Sequence, residues 1–349
     1  MKELLAQLIH GTPLTFAQAQ SVFTDIMDGT ADPAQLASLL TLLAAREPTV
    51  EELQGAATVM RRHVVAIDAP DDVIDTCSTG GTGSVFFNIS TTVALVAAAA
   101  GVPVAKHGNR SITSRSGSSD VLRALGVNIE TTPEQEARCL REANICFAFA
   151  PRHHPAMRHV APVRQALGFA TIFNLLGPLT NPAGARRQVI GTRTPALADK
   201  LLDVLIRQGV QRAMVVCGRD ALSGVICDIS VTGPSRIAQF DAGAGEADAG
   251  NVRQYDVTPA DLGLRQFESS DDLVIRSPEH SAEKIRAILG RKPDGMGAAR
   301  EVVLANAAAA LWVGGAADNL AEGAKKAAAA IDSGAAEETL RKLIALSKA

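Results

Sequence analysis

Val73-Ile74-Asp75-Thr76-Cys77, then Ser78-Thr79-Gly80-Gly81-Thr82-Gly83-Ser84, then Phe87-Asn88-Ile89-Ser90-Thr91 is the stretch around which the chain is built. An apolar run, a glycine-rich turn and an apolar segment entered through Asn, Ser and Thr read as strand, loop and helix N-terminus. Such an arrangement presents free backbone N–H groups and the positive end of a helix to phosphate. The loop matches neither G-x-x-x-x-G-K-[ST] nor G-x-G-x-x-G, and no Lys follows the glycines, so it carries no sign of nucleotide hydrolysis. Taken alone, it is equally a tight strand-to-helix connection.

Further along, Lys106-His107-Gly108-Asn109-Arg110 stands just after the apolar run Val102–Ala105, at the C-terminal edge of the expected sheet. Ligands of open α/β sheets bind at that edge, and two cations there suit a polyphosphate. Either cation by itself reads as a solvated surface charge. His107 is either a hydrogen-bonding residue that fixes loop shape or a proton carrier. Ser114, Ser116, Ser118 and Ser119, close to Gly117, either donate hydroxyls to phosphate or close local turns.

The 349 residues suit about two domains, and 47% hydrophobic with 20% charged residues is ordinary for a soluble globular protein. A net charge of −3 gives no footprint for nucleic acid. The five cysteines lack C-x-x-C spacing, which points away from a disulfide framework or zinc site and toward a reduced, cytoplasmic setting. Met1-Lys2-Glu3-Leu4-Leu5 has no long apolar core of a signal peptide, and Thr91 to Val104, interrupted by Gly101 and Pro103, is too short to span a membrane.

Residues 1–66 read as a small helical domain. Thr15-x-x-Gln18 and Thr49-x-x-Glu52 have capping-box spacing, Asp32-Pro33 is an N-cap followed by proline, and Leu36, Leu39, Leu40 and Leu43 recur at helical spacing. From Val73 the pattern alternates: strands at 73–77, 102–105, 127–129, 145–150 and 213–217, helices at 90–100, 119–125, 133–143, 196–208 and 302–313. This predicts an α/β domain with a mainly parallel central sheet, built from 67–161 and 183–349. The segment 162–182, with its Gly-Pro and Asn-Pro punctuation, is the expected crossing between domains and supplies helices that complete the small one. The Ala-rich runs near Ala307 and Ala327 read as tightly packed helices.

Lys106-His-Gly-Asn-Arg110 with Ser116-Gly-Ser118, Phe87-Asn-Ile-Ser-Thr91, His154-Pro-Ala-Met-Arg-His-Val-Ala-Pro-Val-Arg164 and Thr171-Ile-Phe-Asn-Leu-Leu-Gly-Pro-Leu-Thr-Asn-Pro182 together resemble the anthranilate phosphoribosyltransferases of tryptophan biosynthesis. The resemblance runs the length of the chain with the motifs in order. It implies a homodimer with a cleft between the two domains, where the anthranilate amine displaces pyrophosphate from phosphoribosyl diphosphate with Mg²⁺. It places Ser78, Gly81, Thr82, Asn88, Ile89, Ser90, Thr91, Lys106, Ser114 and Ser118 at phosphoribosyl diphosphate. Ser78, Asn109 and Arg164 fall at anthranilate, and Ser90 and Asp228, with Cys227 at a position matching a ligand, fall at metal.

The chain departs from that family's pattern at four places. The usual Gly-Thr-Gly-Gly-Asp loop is Ser78-Thr79-Gly80-Gly81-Thr82. A Thr is replaced by Phe86, an Asp-Glu metal pair by Cys227-Asp228, and an Arg by Ala170. A cysteine is a soft ligand poorly matched to Mg²⁺, so another acid such as Asp220 either completes the site or is an ordinary loop residue. The other functions compatible with these residues are a transferase or phosphorylase of the same fold acting on another aromatic acceptor, and a non-catalytic paralogue that binds a ligand or nucleic acid.

Overall fold

Four helices open the chain: α1 (Lys2–Ile9), α2 (Phe16–Met27), α3 (Pro33–Arg46) and α4 (Val50–Arg62). The computed structural model describes residues 1–80, 85–110, 116–243, 251–290 and 297–349. The expected starts are present. Thr15 and Thr49 each accept from the N–H three residues on, and Gln18 and Glu52 each return a bond to the cap backbone. Asp32 accepts from Ala34 and Gln35 with Pro33 at the first helical position. Each start satisfies donors that a bare helix end leaves open. Glu52 is buried and also binds the N–H of Leu14 and the Arg46 guanidinium, so this cap fastens α2 and α3 to α4.

The sheet follows as β1 (Ile74–Ser78), α5 (Ile89–Ala99), β2 (Val104–Gly108), α6 (Ser118–Leu125), α7 (Pro133–Ala143) and β3 (Ile145–Phe149). The short helices α8 (Ala150–His153), α9 (Ala161–Leu167) and α10 (Ile172–Leu176) lead to β4 (Arg187–Gly191), α11 (Pro195–Arg207) and β5 (Arg212–Asp220). Then come β6 (Gly224–Ile226), β7 (Ser235–Asp241), β8 (Val252–Val257), α12 (Pro278–Leu289), α13 (Gly297–Val313), α14 (Leu320–Asp332) and α15 (Ala335–Leu346).

The strand order is β3-β2-β1-β4-β5-β7-β8, with β6 paired to the end of β5. The pairs from β3 through β5 are parallel; β6, β7 and β8 join antiparallel. β3 is buried at every position, as a strand covered on both faces must be. Strand order reverses between β1 and β4, which opens a crevice at their C-terminal ends.

Two apolar cores flank the sheet. One holds α5, α13 and α15; the other joins α2, α3 and α4 to α10, α11 and Ile190, Val215 and Ala238 of the sheet. The helical N-terminal segment therefore packs on α10, inside the expected crossing. The Ala-rich reading also holds: a Cβ on Gly323 of α14 would meet the Ala308 backbone of α13 at 2.8 Å, a closeness that only small residues permit.

Two expectations need correction. Val127–Ile129 is not a strand: Asn128 binds Ser347 through its N–H (3.0 Å) and side chain (3.0 Å), so its backbone serves the C-terminal helix. Lys106 and His107 do not follow β2 but lie within it, both buried, with His107 N–H donating to Asp75 at 3.2 Å.

Candidate active site

The crevice holds two connected chambers. The first, about 290 Å³, is lined by Ser78, Asn88, Ser90, Lys106, Asn109 and Ser118 among others. The second, about 520 Å³, is walled by Met60 of α4 and by Pro151, Met157 and Phe173, all from the segments that cross between the two cores. His107, Asn109, Arg110, Arg164 and Phe173 line both. A polar, cationic chamber thus opens into a mainly apolar one.

Lys106 is the buried cation of the first chamber. Its Nζ donates to Thr76 O (2.7 Å) and Ser90 Oγ (3.2 Å). Burial pushes its pKa down, while the charges of Asp75, Cys77 and Asp228 oppose that. Asp75, fully buried, lines neither chamber but acts on Lys106 through its charge and accepts the His107 N–H, a role that the motifs did not reveal. Ser90 is the second residue of α5, whose N-cap Asn88 makes no side-chain cap, so the N-terminal end of this helix is not closed by its own cap residue.

The remaining expected residues fall as follows. Ser78 and Asn109 are exposed on the rim. Ile89 points into the core, and its N–H is taken by Phe87 O at 2.7 Å, so it lies behind the chamber. Thr91 is buried one position deeper, its hydroxyl without a partner among the described residues. Gly81, Thr82 and Ser114 lie outside the described residues. Phe86, where the resembled family carries Thr, is buried and bridges to Val274.

Arg164 of α9 is held by Asn174 (Nη2 donating to Oδ1, 3.2 Å) and lies 5.6 Å over the Phe173 ring. Asn174 also caps its own helix by accepting from Thr171 N–H at 3.0 Å. Sequence reading missed Asn174 and Phe173, although both sit inside the motif that carried the resemblance. The guanidinium is thereby held as a planar fork at the junction of the chambers, a shape suited to a carboxylate.

Ser90, Cys227 and Asp228 surround a small cavity behind the first chamber. Burial pushes Asp228 up to about 7, against the pull of Lys106. Burial and the neighbouring Asp228 charge also push the Cys227 thiol up, so it stays protonated. Among the described residues no group of three or more His, Cys, Asp or Glu is placed to hold a metal ion. One carboxylate and one hydroxyl remain, which fits a Mg²⁺ completed by substrate phosphates and water and leaves no role for the thiol. Asp220 takes no part: it accepts from Leu222, Ser223 (twice), Thr232 and Ser270, closing its own loop.

His107 is a shape-fixing residue. Its Nδ1 meets Gly177 O at 3.2 Å, its ring lies 5.1 Å from that of His154, and burial, with mutual repulsion should both rings protonate, lowers its pKa to about 3. His154 is lowered to about 4 by burial and His153. Both imidazoles are neutral in the folded chain, which sets a pH dependence. The unfolded chain binds more protons than the folded one below about pH 6.5, so their contribution is complete above that value and is lost as the pH falls toward 4. His153 acts oppositely: despite burial, its contact with Glu136 (2.8 Å) raises its pKa, so its contribution fades as pH rises. Acidification from pH 7 to 5 should cost on the order of 2 kcal/mol for each neutral imidazole. Thermal unfolding should show Tm falling over that range, with a shallower fall in His154→Gln; an unchanged slope in that variant contradicts the assignment.

Residues 70–337 match the a/b domain of a glycosyl transferase family, and residues 2–64 match that family's helical bundle domain. Anthranilate phosphoribosyltransferase of Rhodospirillum rubrum is 48% identical over 347 residues, covering 99% of this chain and 95% of its own length. The same enzyme of Rubrobacter xylanophilus is 44% identical over 348 residues, covering 100% of this chain and 98% of its own. The crystal structure of anthranilate phosphoribosyltransferase from Thermus thermophilus superposes with a TM-score of 0.88 at 36% identity, over 99% of each chain. The Saccharomyces cerevisiae enzyme, solved in complex with PRPP and Mg, superposes at 0.83 with 24% identity over 99% of this chain and 96% of its own, a likeness of fold.

Proposed function

This chain belongs to the anthranilate phosphoribosyltransferases, glycosyltransferases of tryptophan biosynthesis, and from that membership we propose a division of labour between its two chambers. Phosphoribosyl diphosphate occupies the first, against the N-terminus of α5, Asn88, Ser90, Lys106 and Ser118. Anthranilate occupies the second, its carboxylate on Arg164 and Asn109. The observation that carries this reading is the buried Lys106 in one chamber and the fixed guanidinium fork of Arg164 where the chambers meet.

The chemistry follows from the placement. As the bond between the ribose anomeric carbon and pyrophosphate breaks, negative charge grows on the leaving oxygens. Lys106 and the positive N-terminal end of α5 face that charge as fixed, preorganised groups. The aromatic amine is nucleophilic without deprotonation, so alignment does most of the work. His107, with a pKa of about 3, is a poor proton carrier at neutral pH. Asp228 and Ser90 would hold Mg²⁺, which when bound neutralises phosphate charge.

The same reading takes residues 1–66 with part of 162–182 as the small domain and 67–161 with 183–349 as the large one. It includes a homodimer in the cytoplasm, consistent with the free state of all five cysteines. No helix among the described residues is long and apolar enough to cross a membrane.

Arg164→Ala separates the two chambers. Losing a charge-assisted pair should raise KM for anthranilate at least about tenfold and leave KM for phosphoribosyl diphosphate within about twofold. Steady-state kinetics with each substrate varied in turn measures both. Equal losses for the two substrates would remove Arg164 from the anthranilate side.

A further inference from the structure

We propose that Ser281, on α12 and outside every motif read from the sequence, is a positioning residue that fixes the Asn88 amide so that it meets the diphosphate as a hydrogen-bond donor only. The proposal rests on the phosphoribosyl diphosphate reading of the first chamber. Ser281 is completely buried and does not line that chamber; Asn88 does. Ser281 Oγ accepts the Asn88 backbone N–H at 3.1 Å and donates to Asn88 Oδ1 at 2.9 Å. Ser116 Oγ donates to the same Oδ1 at 2.8 Å, and Asn88 Nδ2 donates to Ser116 O at 3.2 Å.

An amide oxygen accepts two hydrogen bonds and an amide nitrogen donates two. Both acceptor positions of Asn88 are therefore filled by hydroxyls, and one Nδ2 proton is unspent among the described residues. Diphosphate oxygens accept hydrogen bonds, so this orientation attracts the ligand and the flipped one repels it. Flipping the amide would set Oδ1 against Ser116 O and leave the Ser281 proton facing a donor. Both hydroxyls are buried, so a flip leaves them ill-paired on the side away from the chamber.

Ser281 clamps Asn88 at two atoms, across 193 residues of sequence, and so reaches the chamber only through Asn88. It ties α12 to the N-cap of α5 and, through Ser116, to the segment that leads into α6. A side chain far from every phosphate-binding motif thereby sets the polarity of one wall of the site.

The test compares wild type with Ser281→Ala, Ser281→Cys, Asn88→Ala and the Ser281→Ala/Asn88→Ala double variant. It uses calorimetric titration with magnesium phosphoribosyl diphosphate and steady-state kinetics. Ser281→Ala should weaken that ligand about tenfold in Kd and KM and leave KM for anthranilate within about twofold. Ser281→Cys, similar in shape with a weak donor, should fall between, and it decides the matter if the alanine variant does not fold. In the Asn88→Ala background, Ser281→Ala should add less than about twofold, because the group it orients is gone. A full tenfold loss in that background, an equal rise in both KM values, or unchanged binding by folded Ser281 variants overturns the role. Absence of binding by wild type instead overturns the chamber's assignment, and the role with it.

Discussion

Lys106→Met should lower kcat/KM for phosphoribosyl diphosphate by about 10²- to 10³-fold or more, the largest loss expected from any single change in the cleft. Lys106 is the cation nearest the α5 N-terminus, bonded to Thr76 O and Ser90 Oγ at 2.7 and 3.2 Å. Methionine keeps the length and apolar stem and removes the charge alone. The change also removes the positive charge that opposes the effect of burial on Asp75, whose Oδ1 keeps the His107 N–H. Thermal unfolding must therefore accompany the kinetics, to separate lost stability from lost catalysis. A folded Lys106→Met enzyme with near wild-type kcat/KM contradicts the placement of the pyrophosphate.

Gly191→Ala should give insoluble protein, or a folded state weakened by about 3 kcal/mol or more. Gly191 ends β4, and a Cβ there would lie 1.7 Å from Cys227 O and 2.6 Å from Cys227 C. That backbone cannot yield easily: Ile229 N–H donates to Asn306 Oδ1 at 2.7 Å, and Asp228 O is already close enough to block a Cβ on Gly218 at 2.4 Å. Any protein that does fold should carry Asp228 displaced from Ser90 and bind Mg²⁺ more weakly. Thermal unfolding and Mn²⁺ titration read the two effects. A variant matching wild type in both would show that the approach of β4 to Cys227 is looser than the geometry states.

The parts legible in the sequence were those encoded by near neighbours. Thr15, Asp32 and Thr49 announce helix starts because a cap and its partner lie three residues apart. The Lys106–Arg110 and Asn88–Thr91 segments announce one shared chamber because each joins a strand end or turn to its neighbour along the chain. What stayed hidden depends on distant partners. Ser281 reaches Asn88 across the fold, Asp75 gains its meaning only beside Lys106, and Asn128 is drawn out of a strand by Ser347. The antiparallel strands β6, β7 and β8 were not foreseen either. β8 is largely exposed and lacks the continuous apolar run that marks the inner strands.

Position 227 shows how the departures from the family pattern resolve. The sequence alone left open whether Cys227 is a ligand and whether Asp220 completes the metal site. The fold sets Cys227 as a buried protonated thiol whose backbone packs on Gly191, and commits Asp220 to its own loop. Asp228 is then the one acid beside Ser90 among the residues that surround that cavity.

Whether a chain with Ser78, Thr82 and Cys227 in place of the usual residues still transfers phosphoribosyl to anthranilate is read by the loss of anthranilate fluorescence on addition of phosphoribosyl diphosphate, with and without Mg²⁺. The expected result is saturable, Mg²⁺-dependent turnover in both substrates, although Asp228 is the one acid lining the cavity beside Ser90. No turnover by well-folded protein at saturating substrates would contradict it.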